Sequence, residues 1–135
     1  MARQRVHYGN VLSAKAATGA SNAFYCSDFR NLVAGISAPA NSTLVIKFVG
    51  SVGETAPDFT AAQSTTNLYD FLECIDLQDG TAIDGDTGIT IDNTTAAVNN
   101  RMFEVNINAL DYIGIQVTSY TDGSVSAVFT MTTNQ

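Results

Sequence analysis

Residues 112–132 read YIGIQVTSYTDGSVSAVFTMT, and the period of this stretch decides the fold. Apolar residues recur at Ile113, Ile115 and Val117, then again at Val125, Ala127, Phe129 and Met131. A spacing of two is the signature of strands with one buried face, and Asp122-Gly123 marks a tight turn between them. A two-residue loop would set Ile115 beside Thr130. A three-residue loop, Thr121-Asp122-Gly123, pairs Val117 with Ala127, Ile115 with Phe129 and Ile113 with Met131, so burial selects it. Gly123 then takes the left-handed position of a type I turn with a G1 bulge. The turn Gln78-Asp79-Gly80 yields a second hairpin by the same logic, with Ile75 opposite Ile83.

Working outward, the same period marks Ala23–Phe29, Asn31–Ser37, Thr43–Val49, Leu68–Leu77, Ala82–Ile83 with Ile89–Ile91, and Met102–Asn108. In Thr43–Val49, Leu44, Ile46 and Phe48 share one face while Val45, Lys47 and Val49 share the other. Turn-forming stretches at 38–42, 50–57, 84–88 and 92–100 separate these segments. Seven or eight short strands with little support for helix predict an all-β protein, a single antiparallel β-sandwich of jelly-roll or Greek-key type. The chain has 135 residues, the size of one domain. The expected division is an extended N-terminal arm over 1–21 and a sandwich domain over 22–135.

The arm reading comes from charge. Arg3, Arg5 and Lys15 precede the first acid, Asp28; the remaining three bases face thirteen acids, so residues 28–135 carry −10 within a total of −7. Such a basic, small-residue segment is either a frayed terminus or an arm that docks on an anionic neighbour, and its apolar anchors favour the docking arm. The expected partner interface is Arg3, Arg5, Val6, Tyr8, Val11 and Leu12. The overall acidity argues against gripping nucleic-acid phosphates. No apolar run is long enough for a membrane helix, and the opening residues lead into no secretory apolar region.

Catalytic chemistry finds few of its usual residues. His7 is the only histidine and lies in the basic segment, away from any neighbour that could hold a general base rigid. Cys26 and Cys74 sit in separate strand patterns with no Cys-x-x-Cys spacing, which argues against zinc. They are two buried thiols or one disulfide between facing strands, and without a secretory apolar region free thiols are the expectation. Seven acids crowd into residues 70–92. Asp84-Gly85-Asp86-Thr87-Gly88 resembles part of a calcium loop, with Asp84 and Asp86 as candidate ligands, but it lacks the third alternate carboxylate and the closing Glu. Without Trp, a sugar-stacking platform would fall to Tyr25, Tyr69, Tyr112 and Tyr120. No phosphate-cradling loop leads into a helix. No enzymatic activity and no cofactor are expected.

Several stretches carry a resemblance: Ala17–Phe24, Ala56-Pro57-Asp58-Phe59, and above all Arg101–Asn108 running into Val117–Val125, a strand followed by a Ser-Tyr-Thr-x-Gly hairpin. Together they resemble the small β-sandwich auxiliary virion proteins of tailed bacteriophages. The resemblance spans residues 10–132 and is firmest after Arg101. It implies a structural virion protein made in the host cytoplasm, a capsid decoration protein docking on the head lattice through its N-terminal arm. Its partners would be the major capsid protein or other virion subunits and further copies of itself, trimers included, with no nucleic acid and no membrane. The alternatives are a tail, neck or baseplate subunit, and a carbohydrate- or receptor-binding sandwich.

Overall fold

The computed structural model describes residues 4–133. Twelve antiparallel strands, numbered in chain order, form two six-stranded sheets, and no helix occurs among the described residues. The first sheet has the spatial order β1 (Arg5–Lys15), β12 (Val125–Thr132), β4 (Asn31–Pro39), β10 (Val98–Asn106), β7 (Cys74–Asp76) and β8 (Ala82–Ile83). The second runs β2 (Gly19–Ala20), β11 (Tyr112–Asp122), β5 (Ser42–Ser51) and β6 (Asp70–Leu72). In that sheet β3 (Phe24–Tyr25) also pairs with β11, and β9 (Ile89–Asn93) with β5. The fold is all-β, as its period-two patterning predicts.

Alternation builds the core directly. Leu32, Ala34, Ile36 and Ala38 of β4 point inward, as do Val125, Ala127, Phe129 and Met131 of β12. They meet Leu44, Ile46 and Phe48 of β5 and Ile113, Ile115 and Val117 of β11. Phe48 lies at the centre, its ring centroid 6.3 Å from that of Phe103 and 6.4 Å from that of Phe129. These are contacts between the two sheets, within the range where aromatic pairs add to plain burial.

Residues 112–132 obey the expected burial but not the expected pairing. Ile115 lies opposite Phe48 on β5, and Phe129 lies opposite Ala34 on β4 and Tyr8 on β1. β11 and β12 therefore belong to different sheets and face each other across the core. Two strands with inward odd-numbered residues bury them equally well side by side or face to face, so periodicity does not choose between the arrangements. Gly123 is left-handed as expected, with φ of 79°. A Cβ there would run into Ser42, so the corner between the sheets requires glycine.

The β7–β8 hairpin also differs, by one residue. Its register places Ile75 opposite Ala82 and Cys74 opposite Ile83, giving the four-residue loop Leu77–Gly80. Asp76 causes the extension: its Oδ1 accepts the Gln78 N–H at 2.9 Å, and its carbonyl accepts the Gly80 N–H at 2.7 Å. The expected strand Leu68–Leu77 breaks at Glu73 into β6 and β7, which lie in different sheets. Of the expected strand Ala23–Phe29, only Phe24–Tyr25 pairs.

The largest correction is at the N-terminus. Arg5–Lys15 is not an extended arm but the edge strand of the first sheet, aligned with β12 through Val6↔Met131 and Tyr8↔Phe129. The register shifts between Tyr8 and Leu12 and again before Lys15, and Ala14 is left-handed with φ of 48°. These irregularities move the inward positions from Val6 and Tyr8 to Val11 and Leu12. The interrupted alternation hid the strand in the sequence.

Candidate interaction surface

Part of the outer face of the second sheet, around Val49, Gly114 and Gln116, is closed by the chain itself. The connection between β5 and β6 folds back over it and buries Phe59 and Tyr69, whose rings meet edge to face at 5.3 Å. Phe59 lies so close to β11 that a Cβ on Gly114 would come within 2.6 Å of its ring. Gln116 anchors the same segment from below: its Nε2 donates to the Phe59 carbonyl at 2.7 Å and to the Tyr69 hydroxyl at 3.1 Å. The Tyr69 hydroxyl donates in turn to the Ala61 carbonyl at 2.7 Å. The buried amide thus has its donors satisfied, as a stable buried polar group requires.

The outer face of the first sheet has no such cover. Register sets its outward side chains in rows across the strands. One row is Arg5, Thr132, Asn31 and Asn106; the next is His7, Thr130, Val33, Glu104 and Ile75. A third is Val128, Gly35 and Met102. A groove of about 540 Å³ opens beside Gly35, lined by Gly9, Val33, Ser37, Met102 and Val128 among others, with Val128 Cγ2 leaning over the space a Cβ on Gly35 would take. Met102 stands next to the groove and is 59% exposed.

This face is almost free of acid. β1, β12, β4 and β10 contain one of the thirteen acidic residues, Glu104, whose Oε2 accepts a hydrogen bond from Asn31 Nδ2 at 2.9 Å. Depletion of charge from a patch of apolar and small side chains is the composition of an interface core.

The sequence-chosen interface residues are scattered by the folding of β1. Arg3 lies outside the described residues. Arg5 is exposed, Val6 and Tyr8 are half-buried against the core, and Val11 and Leu12 are inside it. Tyr8 packs on Phe24 with centroids 4.8 Å apart. Those four apolar residues serve this chain's own sandwich. His7 is exposed, and its Nδ1 shares a 2.9 Å hydrogen bond with the Thr130 hydroxyl.

Asp84 and Asp86 are also drawn into local structure. The Asp84 carboxylate accepts the Asp86 N–H at 3.1 Å, and its carbonyl accepts the Gly88 N–H at 3.0 Å, an Asx-type turn. No group of three or more His, Cys, Asp or Glu side chains able to hold a metal ion occurs among the described residues. Of the candidate stacking tyrosines, Tyr69 is buried, Tyr112 and Tyr120 are half-buried, and Tyr25 is 53% exposed against the edge of Tyr112.

Cys26 and Cys74 are buried, unpaired thiols. Burial pushes Cys26 up to about 12, with Asp111 adding to the effect. Burial, then Asp76 and Glu73, push Cys74 up to about 11. Both are held in the unreactive protonated form. Sequence reasoning did not single out Gly35, Met102 and Val128. The signal lay in the alternation itself, which set a single charged residue, Glu104, on the outward side of β12, β4 and β10.

No family profile matches this chain, and no curated protein is significantly similar to it in sequence. Its fold is shared with solved structures. The SPBc2 prophage-derived protein YomS superposes over 98% of this chain and 96% of its own, with a TM-score of 0.69 and 18% identity. The PBSX exported protein XepA matches over 98% of this chain with a TM-score of 0.68 and 13% identity, and this chain spans 39% of that longer protein. At this level of identity the likeness shows a common fold, an all-β architecture that also occurs in prophage-derived proteins.

Proposed function

We propose that this protein is a non-enzymatic structural component of a phage-type particle, and most specifically a decoration protein on the head shell. The observation that carries the reading is the whole-length match to the prophage-derived YomS fold, beside the virion-protein resemblance of Arg101–Asn108 and Val117–Val125. The polar chemistry supports it, because the buried polar side chains hold the fold. Gln116 anchors a loop, Asn93 Nδ2 donates to the carbonyls of Ala38, Pro39 and Ala96, and Asp76 pairs with Arg101. A rigid sandwich with one open, acid-poor face suits a subunit whose work is to add buried area between neighbours. In this reading the open sheet face, and not an N-terminal arm, meets the particle or its other subunits.

Immunogold electron microscopy of particles, with antibody raised against this chain, tests the proposal. Label distributed over the head surface is the expected result. Label confined to tails or baseplates moves the protein to that structure, and unlabelled particles overturn the reading. The exposed Tyr25, edge-to-face with Tyr112 close to the Ser51–Leu68 connection, favours a second reading as a receptor- or glycan-contacting sandwich. A glycan array with a hit lost in Tyr25→Ala would carry it.

A further inference from the structure

We propose that a second copy of this chain packs face to face on the outer surface of the first sheet, seating Met102 of each copy in the Gly35 groove of the other. Knob and hole lie side by side on one molecule, since Met102 and Gly35 are cross-strand partners on β10 and β4. A two-fold axis lying between the two sheets and running between β4 and β10 carries each knob over the opposite hole. Such a self-complementary patch is what an isologous dimer uses.

The same axis makes a second match that was not used to choose it. With the order β1-β12-β4-β10-β7-β8, the β4–β10 boundary is the midline of the sheet. The axis therefore lays β4 over β10, β12 over β7, and β1 over β8. Arg5 is in the cross-strand row of Thr132, Asn31 and Asn106, and Glu73 lies two residues before Ile75, the partner of Glu104. Glu73 thus falls at the far end of the Arg5 row, and it lines one surface hollow with Asn31, Glu104 and Asn106. The two-fold brings Arg5 of each copy toward Glu73 of the other, at both margins of the interface.

Charge and area agree with this occupant. A chain of net charge −7 repels its own kind, least of all through the face whose four long strands hold a single acid. Of the central four strands, β12, β4 and β10 run about 26–30 Å and β7 about 10 Å, so at about 4.8 Å spacing they cover roughly 450 Å² per copy. The total of ~900 Å², with β1 and β8 still to be added at the margins, approaches the size at which stable interfaces begin. The inference does not rest on the particle reading, since it is read from the purified protein alone.

The test is the molar mass by sedimentation equilibrium at about 100 µM, above the micromolar dissociation constants that modest interfaces reach. The wild-type chain should give twice its 14.3 kDa. Met102→Glu should return it to monomer with an unchanged circular dichroism spectrum. Leu68→Glu, at a residue 60% exposed on a connection outside the first sheet, should leave the dimer intact. Arg5→Glu should weaken association about tenfold, and adding Glu73→Arg should restore it. A monomeric wild type overturns the proposal and leaves the face to another partner. A dimer indifferent to Met102→Glu, equally lost in Leu68→Glu, or not rescued by the double charge reversal also overturns it.

Discussion

Removing β1 should unfold this protein, and the size of the effect follows from what β1 buries. Leu12 is 6% exposed in the main core, and Val11 is 5% exposed beside it. Leu12→Ala alone deletes three buried carbon atoms and leaves a cavity, a change that costs about 2–4 kcal/mol. With a urea slope of about 1.5–2 kcal/mol/M for a chain this size, the unfolding midpoint should drop by about 1–3 M. Deleting residues 1–15 removes Val6, Tyr8, Val11 and Leu12 together, each contributing about 1.5–3 kcal/mol if fully buried and about half that if partly buried. The sum, roughly 5–9 kcal/mol, rivals the whole stability of an ordinary domain. It also strips β12 of its outer partner and exposes Phe129. Urea titration followed by far-ultraviolet circular dichroism measures both variants, and the deletion should show no cooperative transition. If the truncated chain unfolds cooperatively within about 1 kcal/mol of the full one, β1 is a detachable arm and the packing argument fails.

Three further outcomes are expected. Arg101 pairs with Asp76, which is 5% exposed. Arg101→Met should therefore cost about 2–4 kcal/mol by stranding a buried carboxylate, and the double change with Asp76→Asn should recover most of it in thermal melts. Phe59→Ala should cost about 2–4 kcal/mol and release the segment over the second sheet, read as faster proteolytic cutting within residues 52–68. Each thiol's folded pKa is raised, so the protonated thiols contribute stability that is fully present below about pH 9 and is lost as pH rises toward about 11 for Cys74 and about 12 for Cys26. The melting temperature should fall across that window, less so in Cys26→Ala/Cys74→Ala. At pH 8 the native protein should react with a thiol reagent only at its unfolding rate. Prompt labelling would contradict the burial.

Much of the fold is legible because alternation is a local property. Whether Ile115 or Gln116 faces the core depends on the pleat and on which neighbours share its polarity, and both are written in the chain. The partner of Ile115 is a different matter. Phe48 and Phe129 are equally good apolar neighbours, and only closure of two six-stranded sheets decides that one lies beside Ile115 and the other across the core. The β7–β8 loop shows the same limit at close range. A carboxylate with an Arg101 partner 25 residues away stays at the turn and extends it by one residue.

The acid-poor face shows where legibility ended for function. Composition revealed a basic N-terminal segment and an acidic remainder, and the natural inference was a separate cationic arm. Folding turned that segment into an edge strand, joined it to three strands that carry one acid between them, and left an acid-poor surface with Gly35 near its centre.

By itself, the amino-acid order determined that this is an all-β chain, which residues point inward along most strands, and that Gly123 must turn left-handed. Those are consequences of side-chain period and of backbone sterics, which act over a few residues. Only the tertiary structure decided which strands are neighbours, that residues 5–15 belong to the sandwich, and that Gly35 and Met102 stand side by side on an open face. Those choices depend on how sheets close over a shared core, a free-energy minimum that belongs to the whole chain and to no segment of it.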